Sequence, residues 1–267
     1  GFKSTFSLGP VVELETPTLS VCFHKRRFTE PKWNNAELYA DGRTVIRVEI
    51  ENDNLERELE KNLDEWKASA LSLLFFKNIR KLVVADVNLQ WNSLGKGPCY
   101  SSEWMGFGQD GQVKHLVIRS DEEPFPDECL EEIRGERLLT DEQATFPPTR
   151  VELVLGAAGR LHVVLPTGVE TLLPFACNGP FIQDPARMKI KDPETSPTNR
   201  WLLGRVGQLA ADSMIDWLDN ENESVESKAK AYDLLPDLGS LDNSLKGVCQ
   251  RAVQIAFKDA LVDDFVL

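Results

Sequence analysis

The sequence is poor in the residue types that cross-link chains or hold metals, and it has no long apolar run. Its five cysteines, Cys22, Cys99, Cys129, Cys177 and Cys249, are odd in number, scattered and never spaced C-x-x-C, which argues against a disulfide framework and a zinc site. That usage fits a reducing, cytoplasmic compartment. The three histidines, His24, His115 and His162, lie far apart, and no metal is assigned to side chains. No stretch approaches the roughly 18 consecutive apolar residues of a membrane helix. The start Gly1-Phe2-Lys3-Ser4 also lacks the charged-then-apolar layout of a secretory signal, so no membrane association is expected. Missing as well are G-x-S-x-G and G-x-x-x-x-G-K-[ST], the local signatures of common hydrolases and of P-loop nucleotide enzymes.

What is present describes a globular chain. Of 267 residues, 42% are hydrophobic and 27% charged, enough to bury a substantial core. The net charge of -13 opposes phosphate backbones over most of the surface, so nucleic-acid binding through this chain is not expected. Its one dense basic run, His24-Lys25-Arg26-Arg27, reads as a solvated loop.

Strand-like patterns occupy Val11–Leu14, Leu19–Phe23 and Thr44–Ile50, the last alternating Ile46, Val48 and Ile50 with Val45, Arg47 and Glu49. Asp53 with Glu56 suggests a capping box, and Leu55, Leu59, Leu63, Trp66, Ala70 and Leu74 follow at helical spacing. Another strand is expected over Ile79–Val87, then an irregular region around Gly95–Pro98 and Asp121–Pro126. Val151–Leu155 and Leu161–Leu165 flank Gly156-Ala157-Ala158-Gly159 and suggest a hairpin, with a third strand over Thr171–Phe175. Ser196-Pro197 marks a helix start with its apolar stripe at Leu202, Val206, Leu209, Ala210, Met214 and Trp217. Further helices are expected near Ser224–Leu234 and Leu241–Leu261, giving an α+β chain.

Several short segments, in order, resemble the GHKL ATPases, especially sacsin-like proteins and the ninety-kilodalton heat-shock chaperone. They are Gly1-Phe2-Lys3-Ser4, Leu71–Lys81, Leu172-Leu173-Pro174-Phe175, Gly179-Pro180-Phe181, Asp184-Pro185-Ala186-Arg187 and Asn199-Arg200-Trp201-Leu202-Leu203. The resemblance implies that Gly1, Phe2, Lys3 and Ser4 close a glycine box over ATP, where backbone N–H groups receive the phosphates. It implies that Thr44 helps bind adenine, although Arg43 stands where the family has glycine. It makes Arg187 a middle-domain residue reaching the terminal phosphate, with Asn199 a polar partner on the following helix.

The family's catalytic Glu, magnesium-binding Asn and Asp-x-Gly-x-Gly motif precede the glycine box. The chain is therefore expected to be a fragment whose parent binds ATP and Mg2+ while the piece itself binds neither tightly. The implied organisation is residues 1–90 as the C-terminal part of an ATP-binding domain, 91–149 as an irregular connection, and 150–267 as a middle-domain-like α+β unit. The implied function is a part of an ATP-dependent chaperone-like or protein-remodelling machine that couples nucleotide state to domain movement. Its partners would be the upstream ATP-binding segment, client proteins or further copies of itself. The alternative is a GHKL module of a DNA-processing or prokaryotic antiviral defence protein.

Overall fold

A two-residue period of apolar side chains around Val12 and Val21, both buried, builds the first sheet. The computed structural model describes residues 2–34, 42–68, 70–107, 113–138, 145–237, 239 and 241–265. They fall into two compact units that divide between Ser69 and Ala70.

The first unit begins with a 3-10 helix over Phe2–Ser7, followed by β1 (Val11–Glu15), β2 (Ser20–His24), β3 (Lys32–Trp33) and β4 (Val45–Val48). These form an antiparallel sheet in the order β3-β2-β1-β4. Thr16 closes the β1–β2 turn, its Oγ1 accepting from the N–H groups of Thr18 and Leu19 at 3.2 and 3.1 Å. Arg47 stands opposite Glu13 across the β1–β4 pair and reaches Glu15 at 2.6 Å. Gly9 is required where the chain enters β1, because a Cβ there would lie 1.8 Å from the Glu49 carbonyl oxygen. The basic run after β2 forms an exposed 3-10 turn over Lys25–Arg27.

Helix α1 spans Asp53–Ala68. Its cap is Asn52 rather than Asp53: the Asn52 Oδ1 accepts from the N–H groups of Asn54 and Leu55 at 3.1 and 3.2 Å. The apolar stripe does not carry the helix to Leu74. Ser72–Phe75 instead forms a separate short helix, α2, with all four residues buried, which suits a turn enclosed on every side rather than one amphipathic face.

In the second unit the strand expected over Ile79–Val87 is two strands, β5 (Lys81–Val84) and β6 (Val87–Lys96), joined by Ala85-Asp86 with Ala85 at φ +54°. The region expected to be irregular supplies most of β6 together with β7 (Ser102–Phe107), β8 (Val113–Arg119) and α3 (Asp127–Glu136). The turn formers at Gly95–Pro98 mark a bulge and a tight reversal within a sheet, not a boundary. Then come β9 (Glu152–Leu155), β10 (Arg160–Val163), β11 (Leu165–Glu170) and β12 (Phe175–Asn178). The eight strands run β11-β10-β12-β9-β8-β7-β6-β5.

The expected β9–β10 hairpin does not form, because β12 lies between them, antiparallel to β9 and parallel to β10. Gly159 permits that crossing: a Cβ would meet the Leu173 carbonyl oxygen at 2.3 Å.

Three further helical segments complete the unit: α4 (Pro197–Asp219), α5 (Val225–Ala229) with a following 3-10 turn, and α6 (Leu245–Phe265). One sheet face, with Leu116, Ile118, Leu153, Leu161, Phe175 and Cys177, shares a core with Leu202, Leu203, Val206 and Trp217 of α4 and Val253 and Phe257 of α6. Each large apolar side chain buried there contributes about 1.5–3 kcal/mol. On the other face Phe75 of α2 meets His162 at 5.1 Å, and Trp91 packs between Phe107 and His115 while its Nε1 donates to the Ala70 carbonyl at 3.0 Å. The architecture is α+β, and among the described residues no helix is long and apolar enough to cross a membrane.

Candidate functional site

The chain between β12 and α4 folds back on itself as a clamped loop with Arg187 near its tip. Gln183 bridges Ile190, the Asp184 N–H donates to the Lys189 carbonyl at 2.9 Å, and the Lys191 N–H donates to the Ile182 carbonyl at 2.8 Å. Within the loop the Asp184 Oδ1 accepts from the N–H groups of Met188 and Lys189 at 2.8 and 3.2 Å. The Arg187 N–H donates to the Asp184 carbonyl at 2.9 Å, and the Arg187 carbonyl accepts from Gln183 Nε2 at 3.3 Å. These bonds hold Arg187 at φ +57°, a left-handed conformation that a non-glycine residue adopts only where its surroundings prescribe it. Its side chain is exposed and makes no ion pair with any described residue.

Asn199 is fully buried in the first turn of α4. Its Oδ1 accepts from the Ile182 N–H at 2.7 Å, and its Nδ2 donates to the Ile182 and Lys191 carbonyls, both at 2.9 Å. Every bond the amide makes goes to the two stems of the Arg187 loop. Asn199 is thus a clamp beneath that loop rather than a second group facing a phosphate. The start of α4 is occupied in the same way. Ser196 Oγ accepts from the Asn199 N–H at 3.2 Å, and Glu132 of α3 accepts from Ser196 Oγ and the Thr198 N–H, both at 3.0 Å. A carboxylate already sits where the helix N-terminus favours negative charge.

Beside the loop lies a groove of about 630 Å³, with Phe125, Phe146, Pro147, Phe181 and Pro185 in its walls and Arg187 at its rim. Arg137 stacks over the Phe146 ring at 5.2 Å, and Lys191 pairs with Glu136, tying the loop stem to α3.

Arg205 was not among the expected site residues, and it shows what a structural arginine in this fold does. It is buried and donates to the Thr149 carbonyl at 2.7 Å, Ser120 Oγ at 2.9 Å, the Asp121 carbonyl at 2.6 Å and Glu123 Oε1 at 2.9 Å. It also lies over Trp201 at 5.1 Å. A signal for it exists in the sequence, since position 205 adjoins the buried stripe Leu202–Val206, where a charge needs several partners.

The remaining expected residues belong to the first unit. Gly1 lies outside the described residues, and Phe2, Lys3 and Ser4 form the start of the 3-10 helix. Thr44 is exposed and precedes β4. The 3-10 helix leads to the Val11 end of β1, which pairs with the Val48 end of β4, whereas Thr44 precedes the Val45 end of that strand.

Burial pushes the Cys99 and Cys129 thiols up and the Cys249 thiol to about 12, which disfavours a thiolate nucleophile at those positions. Among the described residues no group of three or more His, Cys, Asp or Glu could hold a metal ion. The chain matches no protein-family model, no curated protein and no solved structure.

Proposed function

We propose that the chain works within a GHKL-type, ATP-driven machine of the chaperone-like or protein-remodelling kind, and that the Arg187 loop answers to the terminal phosphate of ATP. In this reading the nucleotide and Mg2+ are held by an upstream segment of the same protein, with Phe2, Lys3 and Ser4 closing over the phosphates. Thr44 contributes on the adenine side. The observation that supports the reading is the contrast between two guanidinium groups. Arg205 is enclosed by four acceptors, whereas Arg187 is presented outward on a backbone whose conformation is prescribed. A cation held ready in this way stabilises phosphate charge without reorganising when that charge develops.

Arg187→Ala in the protein that carries the nucleotide segment is expected to reduce ATP turnover on the order of 10³-fold, the low end for an arginine finger. Nucleotide affinity and thermal stability should be unchanged. Phosphate release under single-turnover conditions measures the first, and calorimetry the others. Turnover that survives the substitution would remove the phosphate role, and an equal loss of turnover and stability would make Arg187 a packing residue.

A further inference from the structure

The end of the large sheet where β8, β10 and β12 finish and β9 begins opens into a second cleft, of about 680 Å³. That volume lies in the usual range for small-molecule sites. A buried polar lock forms its floor. Glu152 is 6% exposed, and its Oε1 pairs with Arg119 Nε at 3.3 Å and Arg150 Nη2 at 3.4 Å, while its Oε2 accepts from Asn178 Nδ2 at 2.8 Å. The Asn178 Oδ1 in turn accepts from the Val164 N–H at 2.8 Å. Val164 is held at φ +63°, a left-handed conformation that is strained for a β-branched residue and persists only where surrounding structure imposes it. Both ends of this lock line the cleft.

The second observation is charge. Lys77 and Arg80, on the loop between α2 and β5, also line the cleft, are exposed, and make no ion pair with any described residue. With Arg119 and Arg150 they set four cations against the lining carboxylates Glu122 and Glu152 and against Glu103, which pairs with Arg119 at 3.4 Å, a local positive excess in a molecule whose net charge is -13. A local positive field within an acidic surface favours an anion small enough for its charge to stay inside the cleft. A polymer would extend its phosphates over the repelling surface beyond, since screening leaves fields felt over about 8 Å at physiological salt.

We propose that this cleft binds a small phosphorylated anion, its phosphate charge met by Lys77 and Arg80 of the α2–β5 loop together with Arg119 and Arg150 at the strand ends. The Glu152–Asn178 lock positions the two strand-end arginines. This assignment is independent of the Arg187 reading.

Pyrophosphate serves as the probe in a calorimetric titration of the 267-residue chain at low salt. Binding is expected, weakening as salt is raised, and the double variant Lys77→Gln/Arg80→Gln should lose about tenfold or more in affinity. The triple variant Lys25→Gln/Arg26→Gln/Arg27→Gln, at the basic turn of the first unit, should bind as the parent does. Absence of pyrophosphate binding would overturn the proposal. So would loss in the triple variant with retention in the double. Tighter binding of a single-stranded oligonucleotide through Lys77 and Arg80 would replace the small anion with a nucleic acid. Because the readout is binding and not turnover, failure here leaves the role of Arg187 untouched.

Discussion

Asn199 and His162 are both buried polar side chains, and they stand at opposite ends of polar satisfaction. The Asn199 amide meets three backbone groups of the Arg187 loop. Asn199→Ala would leave the Ile182 N–H and two carbonyls without that partner, so a loss of about 2–4 kcal/mol is expected in urea unfolding, with faster hydrogen exchange at the Ile182 amide. A cost below about 0.5 kcal/mol, the usual range for a surface change, would mean the loop holds itself.

His162 is 4% exposed, and its Nδ1 has no partner among the described residues. Burial, reinforced by the Arg160 charge, pushes its pKa down to about 4. The folded chain therefore resists a proton that the unfolded chain accepts below about 6.5. The stability contributed is full above that pH and is lost as pH falls toward 4, by up to about 3 kcal/mol. His162→Phe keeps a ring against Phe75 and should flatten the stability profile between pH 6.5 and 4, and a profile unchanged by the substitution would place the acid sensitivity elsewhere.

At the scale of elements, α4 organises the second unit, and two glycines on it separate propensity from packing. At Gly207 a Cβ would meet the Val253 carbonyl oxygen of α6 at 2.4 Å and the Ala256 Cβ at 2.8 Å, whereas at Gly204 it would meet nothing within 4 Å. Gly207→Ala should thus cost about 1–3 kcal/mol by forcing the helices apart. Gly204→Ala should add about 0.5–1 kcal/mol through helix propensity alone. Thermal unfolding of the pair tests the crossing, and equal shifts of the same sign would show that α4 and α6 do not approach so closely. The start and stripe of α4 were legible because Ser196, Pro197 and the apolar positions act within one helix. The β9–β10 hairpin that the sequence suggests is overridden because strand partners are chosen across the sheet. Gly156–Gly159 looks like a hairpin loop locally, yet Gly159 admits the chain at Leu173 and β12 takes the place between the two strands.

At the scale of the molecule, the division falls between Ser69 and Ala70, inside the segment expected to be one ATP-binding piece. Residues 70–267 contain the whole eight-stranded sheet and its helical layer. Expressed alone, they should unfold in one cooperative calorimetric transition. A transition lost or broadened relative to the 267-residue chain would mean that the second unit depends on the first.

The sequence by itself determined the α+β class, the start of α4 and the acidic charge balance, since these follow from side chains near one another along the chain or from composition alone. It also pointed to Arg187 as a loop residue between a strand and α4. Only the tertiary structure decided that Asn199 is the clamp of that loop and Arg205 an enclosed cation. The same holds for β7 and β8, which belong to a continuous sheet, and for Lys77, Arg80, Arg119 and Arg150, which line one cleft. A guanidinium or an amide has the same chemistry wherever it stands in a sequence. What it does is set by which backbone groups and charges long-range packing brings within about 3 Å of it.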